Sequence, residues 1–153
     1  MAKKHFLSFL TLILLSISAF AQTATQPQGQ GTEQNPYLIS NASEFLWINN
    51  DNDAYYVQTA NITNLGNFAQ MTAIIQTFSG TYDGGGYSIT YNATFTANTD
   101  NVALGLFGIA TGTIKNLNIT SSSLTVSGNK SARIGLLCGY LNGTRAIITN
   151  CPI

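Results

Sequence analysis

The chain has 153 residues, 44% of them apolar and only 8% charged, so it supplies one domain with a core and not comfortably two. The charged fraction is far below the roughly 25% of an ordinary soluble domain, which disfavours long solvated helices and coiled coils. Bases and acids balance at 6 each, and the only histidine is His5, inside the N-terminal segment described next.

Residues 1–21 have the pattern of a secretory signal peptide. Lys3, Lys4 and His5 form a positive start, an apolar run follows over residues 6–17, and Ala19 and Ala21 give a small-x-small cleavage site. The run is too short for a membrane anchor, which needs about 20 apolar residues. Cleavage after Ala21 predicts a secreted or cell-surface bacterial protein without a transmembrane segment.

Removal of this segment leaves four bases against six acids, a net charge of −2. That charge offers no basic surface for nucleic acid or acidic membranes. The mature chain would also lack histidine, which excludes histidine-dependent catalysis and histidine metal sites.

Residues 22–31 contain no large apolar side chain and are predicted to be a flexible lead-in, so the folded domain is placed at residues 32–153. Within it, one segment looks helical. Asn41 and Glu44 form a capping-box pattern, followed by apolar residues on one face, and the helix should end by Asn49 and Asn50.

The rest of the domain is rich in Asn, Thr, Ser and Gly and shows weak internal repeats. Residues 114–119 align with residues 148–153 at an offset of 34, and a weaker copy at residues 92–95 aligns with residues 116–119 at an offset of 24. Such repeats of short strands predict an all-β right-handed parallel β-helix, or solenoid, with the short helix capping its N-terminal end.

Stacking of the repeats makes specific predictions about side chains. Ile114 should lie over Ile148, and Leu117 over Cys151. Asn116 should lie over Asn150, about one strand spacing or 4.8 Å away, where the two amides can hydrogen-bond.

Several segments together resemble the bacterial secreted and surface proteins that carry GLUG-type repeats. They are residues 31–40 (GTEQNPYLIS), 55–58 (YYVQ), 78–89 (FSGTYDGGGYSI), 105–108 (GLFG) and 112–117 (GTIKNL). The resemblance implies a right-handed parallel β-helix found on or outside bacterial cells, in adhesin-like proteins and as accessory regions of large metalloproteases. It implies an adhesive or scaffolding role at most.

No catalytic, metal or cofactor site emerges from the sequence. Asp83 precedes three glycines and is read as a turn cap. The segment from Asp51 to Asp53 resembles the start of a calcium loop but lacks the following Gly and distal Glu, so it is read as a solvated loop. The acids are scattered singly, although stacking could bring Lys115 near Asp83.

Tyrosines suggest a ligand surface. Exposed tyrosines on a flat sheet can stack on sugar rings, and Tyr82, Tyr87 and Tyr91 are the candidate glycan-binding residues. The predicted function is therefore a secreted or cell-surface structural module of the adhesin type, with surface glycans or extracellular proteins as partners. The alternative is a carbohydrate-active enzyme, either a polysaccharide lyase or a glycoside hydrolase.

Two questions stay open in the sequence. Cys138 and Cys151 permit a disulfide without requiring one, and burial of Cys151 as a thiol is the default. Ile153 falls inside a repeat, which we read as a sign that the chain is part of a longer protein. Otherwise, self-association through the open C-terminal coil is expected.

Overall fold

The computed structural model describes residues 23–63, 65, 67–70 and 73–153, with the backbone alone for residues 67–70. The predicted signal peptide lies outside these residues. The described chain is mostly β. Its strands are β1 (Tyr37–Ile39), β2 (Tyr55–Gln58), β3 (Asn67–Gln70), β4 (Ile75–Phe78), β5 (Thr81–Asp83), β6 (Ser88–Ile89), β7 (Asn92–Ala97), β8 (Val102–Leu104), β9 (Phe107–Ala110), β10 (Thr113–Lys115), β11 (Asn118–Ile119), β12 (Ser123–Gly128), β13 (Ala132–Ile134), β14 (Cys138–Leu141) and β15 (Ile147–Thr149).

The short helix forms as its capping pattern predicts. Helix α1 spans Ala42–Leu46 and continues as a 3₁₀ turn over Trp47–Asn49. The Glu44 amide donates to Asn41 Oδ1 at 3.0 Å, and Glu44 Oε2 accepts from the Ser40 amide at 2.7 Å. The glutamate thus reaches back one residue further than the Asn41 amide of an ordinary capping box.

The strands form five small parallel sheets. The largest has the order β1-β2-β5-β10-β15, two have the orders β12-β7-β3 and β14-β9-β4, and two are the pairs β11-β6 and β13-β8. Parallel neighbours such as Ile114 and Ile148 are direct register partners, as the repeat alignment predicts.

The predicted right-handed parallel β-helix, or solenoid, is wrong as the fold class. The sheets hold only two to five strands, and no sheet forms a solenoid or β-helix. A regular solenoid adds one strand to every sheet at each repeat, whereas here the sheets gain unequal numbers of strands. The separation in sequence between paired residues of the largest sheet also varies. Tyr37 pairs with Tyr56, whereas Tyr82 pairs with the more distant Ile114.

One local prediction is also corrected. The copy at an offset of 24 is wrong, because Asn118 pairs with Ser88 and Asn92 pairs with Ser123. Residues 23–31, the described part of the predicted flexible lead-in, carry hydrogen bonds to the body. The Leu38 amide donates to the Gln28 carbonyl at 2.8 Å, and the Tyr55 amide donates to the Gly31 carbonyl at 2.9 Å. Residues 23–31 are thus attached to the rest of the chain by backbone hydrogen bonds, although they have few apolar side chains to bury.

The core fills the space between the sheets and the helix with aromatic and aliphatic side chains. Tyr37, Tyr56 and Tyr82 follow one another in a column of the largest sheet, with ring centroids 5.4 and 6.5 Å apart. Phe107 contacts the rings of Phe45, Phe78 and Tyr82 at 5.3–5.9 Å. The inward side chains of the largest sheet are therefore fixed, and its alternate side chains point outward.

Candidate functional site

An open groove of about 410 Å³ runs across the outer face of the largest sheet. Strands β2, β5 and β10 form its floor, and the segment before β1 forms one side. Its lining residues are Glu33, Pro36, Tyr55, Tyr56, Val57, Thr81, Asp83, Thr113 and Lys115. We call it the sheet groove.

Strand alternation builds the floor of the sheet groove from two columns of side chains. In the first, Tyr55 pairs with Thr81, and Thr81 pairs with Thr113. In the second, Asp83 pairs with Lys115. Parallel pairing spaces successive side chains by about 4.8 Å, so the floor presents an aromatic ring, two hydroxyls and an ion pair in a regular array.

The charged pair of the sheet groove is tied to the turn behind it. Lys115 Nζ lies 3.3 Å from Asp83 Oδ2, and Asp83 Oδ1 accepts from the Gly85 amide and from Asn116 Nδ2, both at 3.0 Å. Burial alone would raise the pKa of the Asp83 carboxyl, but the hydrogen bonds from Asn116, Gly85 and Lys115 and the lysine charge lower it below its usual value. Asp83 is therefore held as a carboxylate.

The reading of Asp83 as a turn cap is confirmed, and so is the predicted asparagine pair. Asn150 Nδ2 donates to Asn116 Oδ1 at 2.8 Å, which extends the contact between Asn116 and Asp83 into a three-membered ladder. Asn116 and Asn150 both adopt positive φ, at 54° and 51°, a conformation that asparagine tolerates better than most residues.

Two of the three predicted glycan-binding tyrosines are buried. Tyr82 is 0% exposed and donates from its hydroxyl to Gln58 Oε1 at 2.9 Å; Tyr91 is 2% exposed and donates to the Leu136 carbonyl. Burial, with a smaller contribution from the charge of Asp83, raises the pKa of Tyr82 well above its usual value. These two side chains belong to the core and cannot stack on a sugar.

The third candidate, Tyr87, is 38% exposed but does not line the sheet groove. The groove instead presents Tyr55, which is 36% exposed. Its position could have been found in the sequence, because it immediately precedes Tyr56 in a strand and alternation places neighbouring side chains on opposite faces. Glu33 had no comparable signal, since it lies in a segment without regular structure.

The segment from Asp51 to Asp53 takes part in packing. The Asp51 carbonyl accepts from the Tyr56 hydroxyl, and the Asn52 carbonyl accepts from the Ser79 and Gly80 amides at 2.9 and 3.1 Å. Among the described residues, no group of three His, Cys, Asp or Glu side chains could hold a metal ion.

The two cysteines are free thiols, each half-buried. Burial raises the pKa of the Cys138 thiol above its usual value. Cys151 packs against the core, in agreement with the default reading from the sequence.

Part of this chain is similar to part of a known protein. The chain is similar to a protein described as a "Putative Gly-rich membrane protein" from Evansella cellulosilytica, with 31% identity over 122 residues. The match covers 72% of this chain and 14% of that protein, so the chain spans about one seventh of the relative's length. No protein-family model matches the chain. No solved structure matches it either.

The sequence-based description of this chain as a secreted adhesin-like solenoid is corrected. Its sheets form no solenoid, and the similar protein is itself described as a membrane protein, not as a secreted adhesin. Within the part of the chain that the structure describes, no helix is long and apolar enough to cross a membrane.

Proposed function

We propose that this chain is a structural module of the bacterial cell surface that binds glycans in the sheet groove. The observation that carries the proposal is the outer face of the largest sheet, where Tyr55 lies beside Thr81 and Thr113 and the pair of Asp83 and Lys115. An exposed aromatic ring stacks on the apolar face of a sugar, while hydroxyl and charged groups satisfy its hydroxyls.

Export is part of this proposal. The positive start, apolar run and small-x-small site of residues 1–21 support cleavage after Ala21. Mass spectrometry of the protein expressed with its leader in a bacterial host should find a mature N-terminus at Gln22. An unprocessed chain in the cytoplasm would contradict export.

Glycan binding is tested by a pair of matched tyrosine variants. Tyr55 and Tyr87 are almost equally exposed, and only Tyr55 lines the sheet groove. Glycans selected on an array with the wild-type protein are titrated by calorimetry against Tyr55→Ala and Tyr87→Ala. We expect Tyr55→Ala to weaken binding at least tenfold and Tyr87→Ala to leave it unchanged. Equal effects of the two variants would contradict a site in the groove.

A carbohydrate-active enzyme is the second candidate, because Glu33 and Asp83 both line the sheet groove. A glycoside hydrolase uses two carboxyl groups on either side of the scissile bond, one ionised and one protonated. Asp83, held as a carboxylate, suits the ionised role, and Glu33 is the other carboxyl group that lines the groove. Reducing-sugar release from a bound glycan, abolished by Glu33→Gln, would favour the enzyme; binding without release favours the structural module.

A further inference from the structure

The sheet groove belongs to the acidic part of the chain. All six acids of the sequence fall between residues 22 and 120, where Lys115 is the only base. The floor strands β2, β5 and β10 are interior to the largest sheet, because β1 pairs with β2 and β15 pairs with β10. The groove is therefore set in a negatively charged part of the molecule, and such a surface raises the local concentration of cations.

The charge inside the sheet groove is also negative. Its lining contains two carboxyl side chains, Glu33 and Asp83, and one ammonium group, that of Lys115, so its formal charge is −1. Lys115 Nζ lies 3.3 Å from Asp83 Oδ2 and balances that carboxylate. Glu33 is exposed, and it forms no salt bridge with any residue that the structure describes. The unbalanced charge of the groove is therefore that of Glu33.

Acidic sugars fit this arrangement poorly. A uronic acid would compete with Asp83 for Lys115, the single ammonium group of the groove. Asp83 is held in place against such competition, because its Oδ1 accepts from the Gly85 amide and from Asn116 Nδ2, both at 3.0 Å. The sugar would thus add a third carboxylate to a site with one cation, and like charges brought together reduce affinity.

A sugar with a free amine fits the same groups. Its ammonium group would donate charge-assisted hydrogen bonds to the Glu33 carboxylate. The ring of Tyr55, which is 36% exposed, attracts a cation as well as the apolar face of a sugar. The hydroxyls of Thr81 and Thr113 follow Tyr55 in the same column and can both donate to and accept from the hydroxyls of a sugar.

We propose that the sheet groove selects glycans that contain amino sugars with a free amine, and that Glu33 determines this preference. The inference rests on the proposed glycan-binding function and adds the class of sugar to it. Tyr55 supplies a stacking surface that serves any glycan, and Asp83 stays paired with Lys115. The carboxylate of Glu33 distinguishes a charged amine from a neutral acetamide.

The test uses three pentasaccharides that differ in charge. They are pentamers of glucosamine, of N-acetylglucosamine and of galacturonic acid, and the first two have the same ring and linkage and differ only at the amine. Binding of each to the protein is measured by calorimetry at about pH 6. This pH lies between the ordinary pKa values of carboxyl groups and of amines, so both are charged.

We expect the glucosamine pentamer to bind at least about fivefold more tightly than the N-acetylglucosamine pentamer, the size of one charge-assisted hydrogen bond at an exposed site. The galacturonic acid pentamer should bind most weakly. Glu33→Gln should abolish the preference by weakening binding of the glucosamine pentamer alone. Asp53→Asn removes a negative charge outside the groove and is the matched control, which should leave the preference unchanged. The preference should shrink as salt is raised.

Three outcomes would overturn the inference and leave a glycan site in the groove intact: equal binding of the two amino-sugar pentamers, tightest binding of the galacturonic acid pentamer, or a preference that survives Glu33→Gln. Binding of other array glycans without binding of the glucosamine pentamer would overturn it as well. Tyr55→Ala should weaken both amino-sugar pentamers, because stacking does not depend on the amine. If the protein binds no glycan, or if Tyr55→Ala and Tyr87→Ala have equal effects, the proposed function fails and this inference fails with it.

Discussion

The buried side chain of Gln58 has a hydrogen-bond partner for both its amide nitrogen and its carbonyl oxygen. Gln58 is 1% exposed, donates from Nε2 to the Ala60 and Ser88 carbonyls at 2.8 and 3.0 Å, and accepts from the Tyr82 hydroxyl. Tyr82, which was predicted to stack on a sugar, thus lies in the core and hydrogen-bonds to a buried amide. A sequence shows which residues carry polar groups but not which face they occupy when the strand order is unknown.

Tyr82→Phe should destabilise the fold. The change leaves the buried Gln58 carbonyl oxygen without its donor, which costs about 1–3 kcal/mol. Urea unfolding followed by fluorescence of the single tryptophan, Trp47, measures the loss. Tyr87→Phe, at an exposed position, is the control and should change the free energy of unfolding by less than about 0.5 kcal/mol. Equal stability of Tyr82→Phe and wild type would contradict the importance of this contact.

Asp83 should make stability depend on pH in the acid range. Its pKa is lowered in the folded state, so the folded protein binds fewer protons than the unfolded chain and gains stability above the unfolded value of about 3.9. This gain is lost as the pH falls from there through the folded pKa. Asp83→Asn should be less stable than wild type at pH 7, with the difference shrinking at pH 3. Asp53→Asn controls for the loss of one charge, and a pH-independent difference would contradict the assignment.

At the scale of elements, turns set the strand pairing as much as strands do. Gly80 and Gly112 stand just before β5 and β10, and a Cβ at Gly112 would lie 2.0 Å from the Gly80 carbonyl oxygen. The close approach of the two backbones brings β5 and β10 into register at the floor of the sheet groove. The sequence marks these glycines as turn residues but gives no sign of their contact.

Gly112→Ala should therefore destabilise the protein by about 1–3 kcal/mol, since backbone atoms cannot move away as a flexible side chain could. Gly86→Asn is the control, because nothing lies within 4 Å of a Cβ there and asparagine tolerates its φ of +80°. Thermal unfolding by circular dichroism distinguishes them. A Gly112→Ala protein that melts at or above the wild-type temperature would show that β5 and β10 can move apart at this point without loss of stability.

For the whole molecule, one aromatic cluster joins elements that are far apart in the chain. Phe107 on β9 contacts Phe45 of helix α1, Phe78 of β4 and Tyr82 of β5, at ring distances between 5.3 and 5.9 Å. Two sheets and the helix therefore share a core, and unfolding of one should weaken the others.

Phe107→Ala should cost about 3–5 kcal/mol and lower the urea midpoint measured by Trp47 fluorescence. The same midpoint should be found by far-ultraviolet circular dichroism, because the probes report a common core. Tyr140→Ala, at a position that is 37% exposed, is the control and should have a much smaller effect. Separate transitions in the wild type would contradict a shared core.

The sequence by itself determined the features that depend on near neighbours along the chain or on segments that recur in it. The capping pattern at Asn41 and Glu44 predicted helix α1, and the aligned repeats predicted that Ile114 pairs with Ile148 and Asn116 with Asn150. These follow from local hydrogen bonding and from side chains that recur at equivalent positions.

Only the tertiary structure decided how the strands divide among sheets, which tyrosines reach the surface and where a ligand could bind. The sheets are five small parallel ones because strands of two to six residues are interrupted by turns of unequal length, which local patterns do not encode. Burial of Tyr82 and exposure of Tyr55 depend on which face of the largest sheet meets the core. That choice is made by packing against residues distant in sequence, such as Phe45 and Phe107.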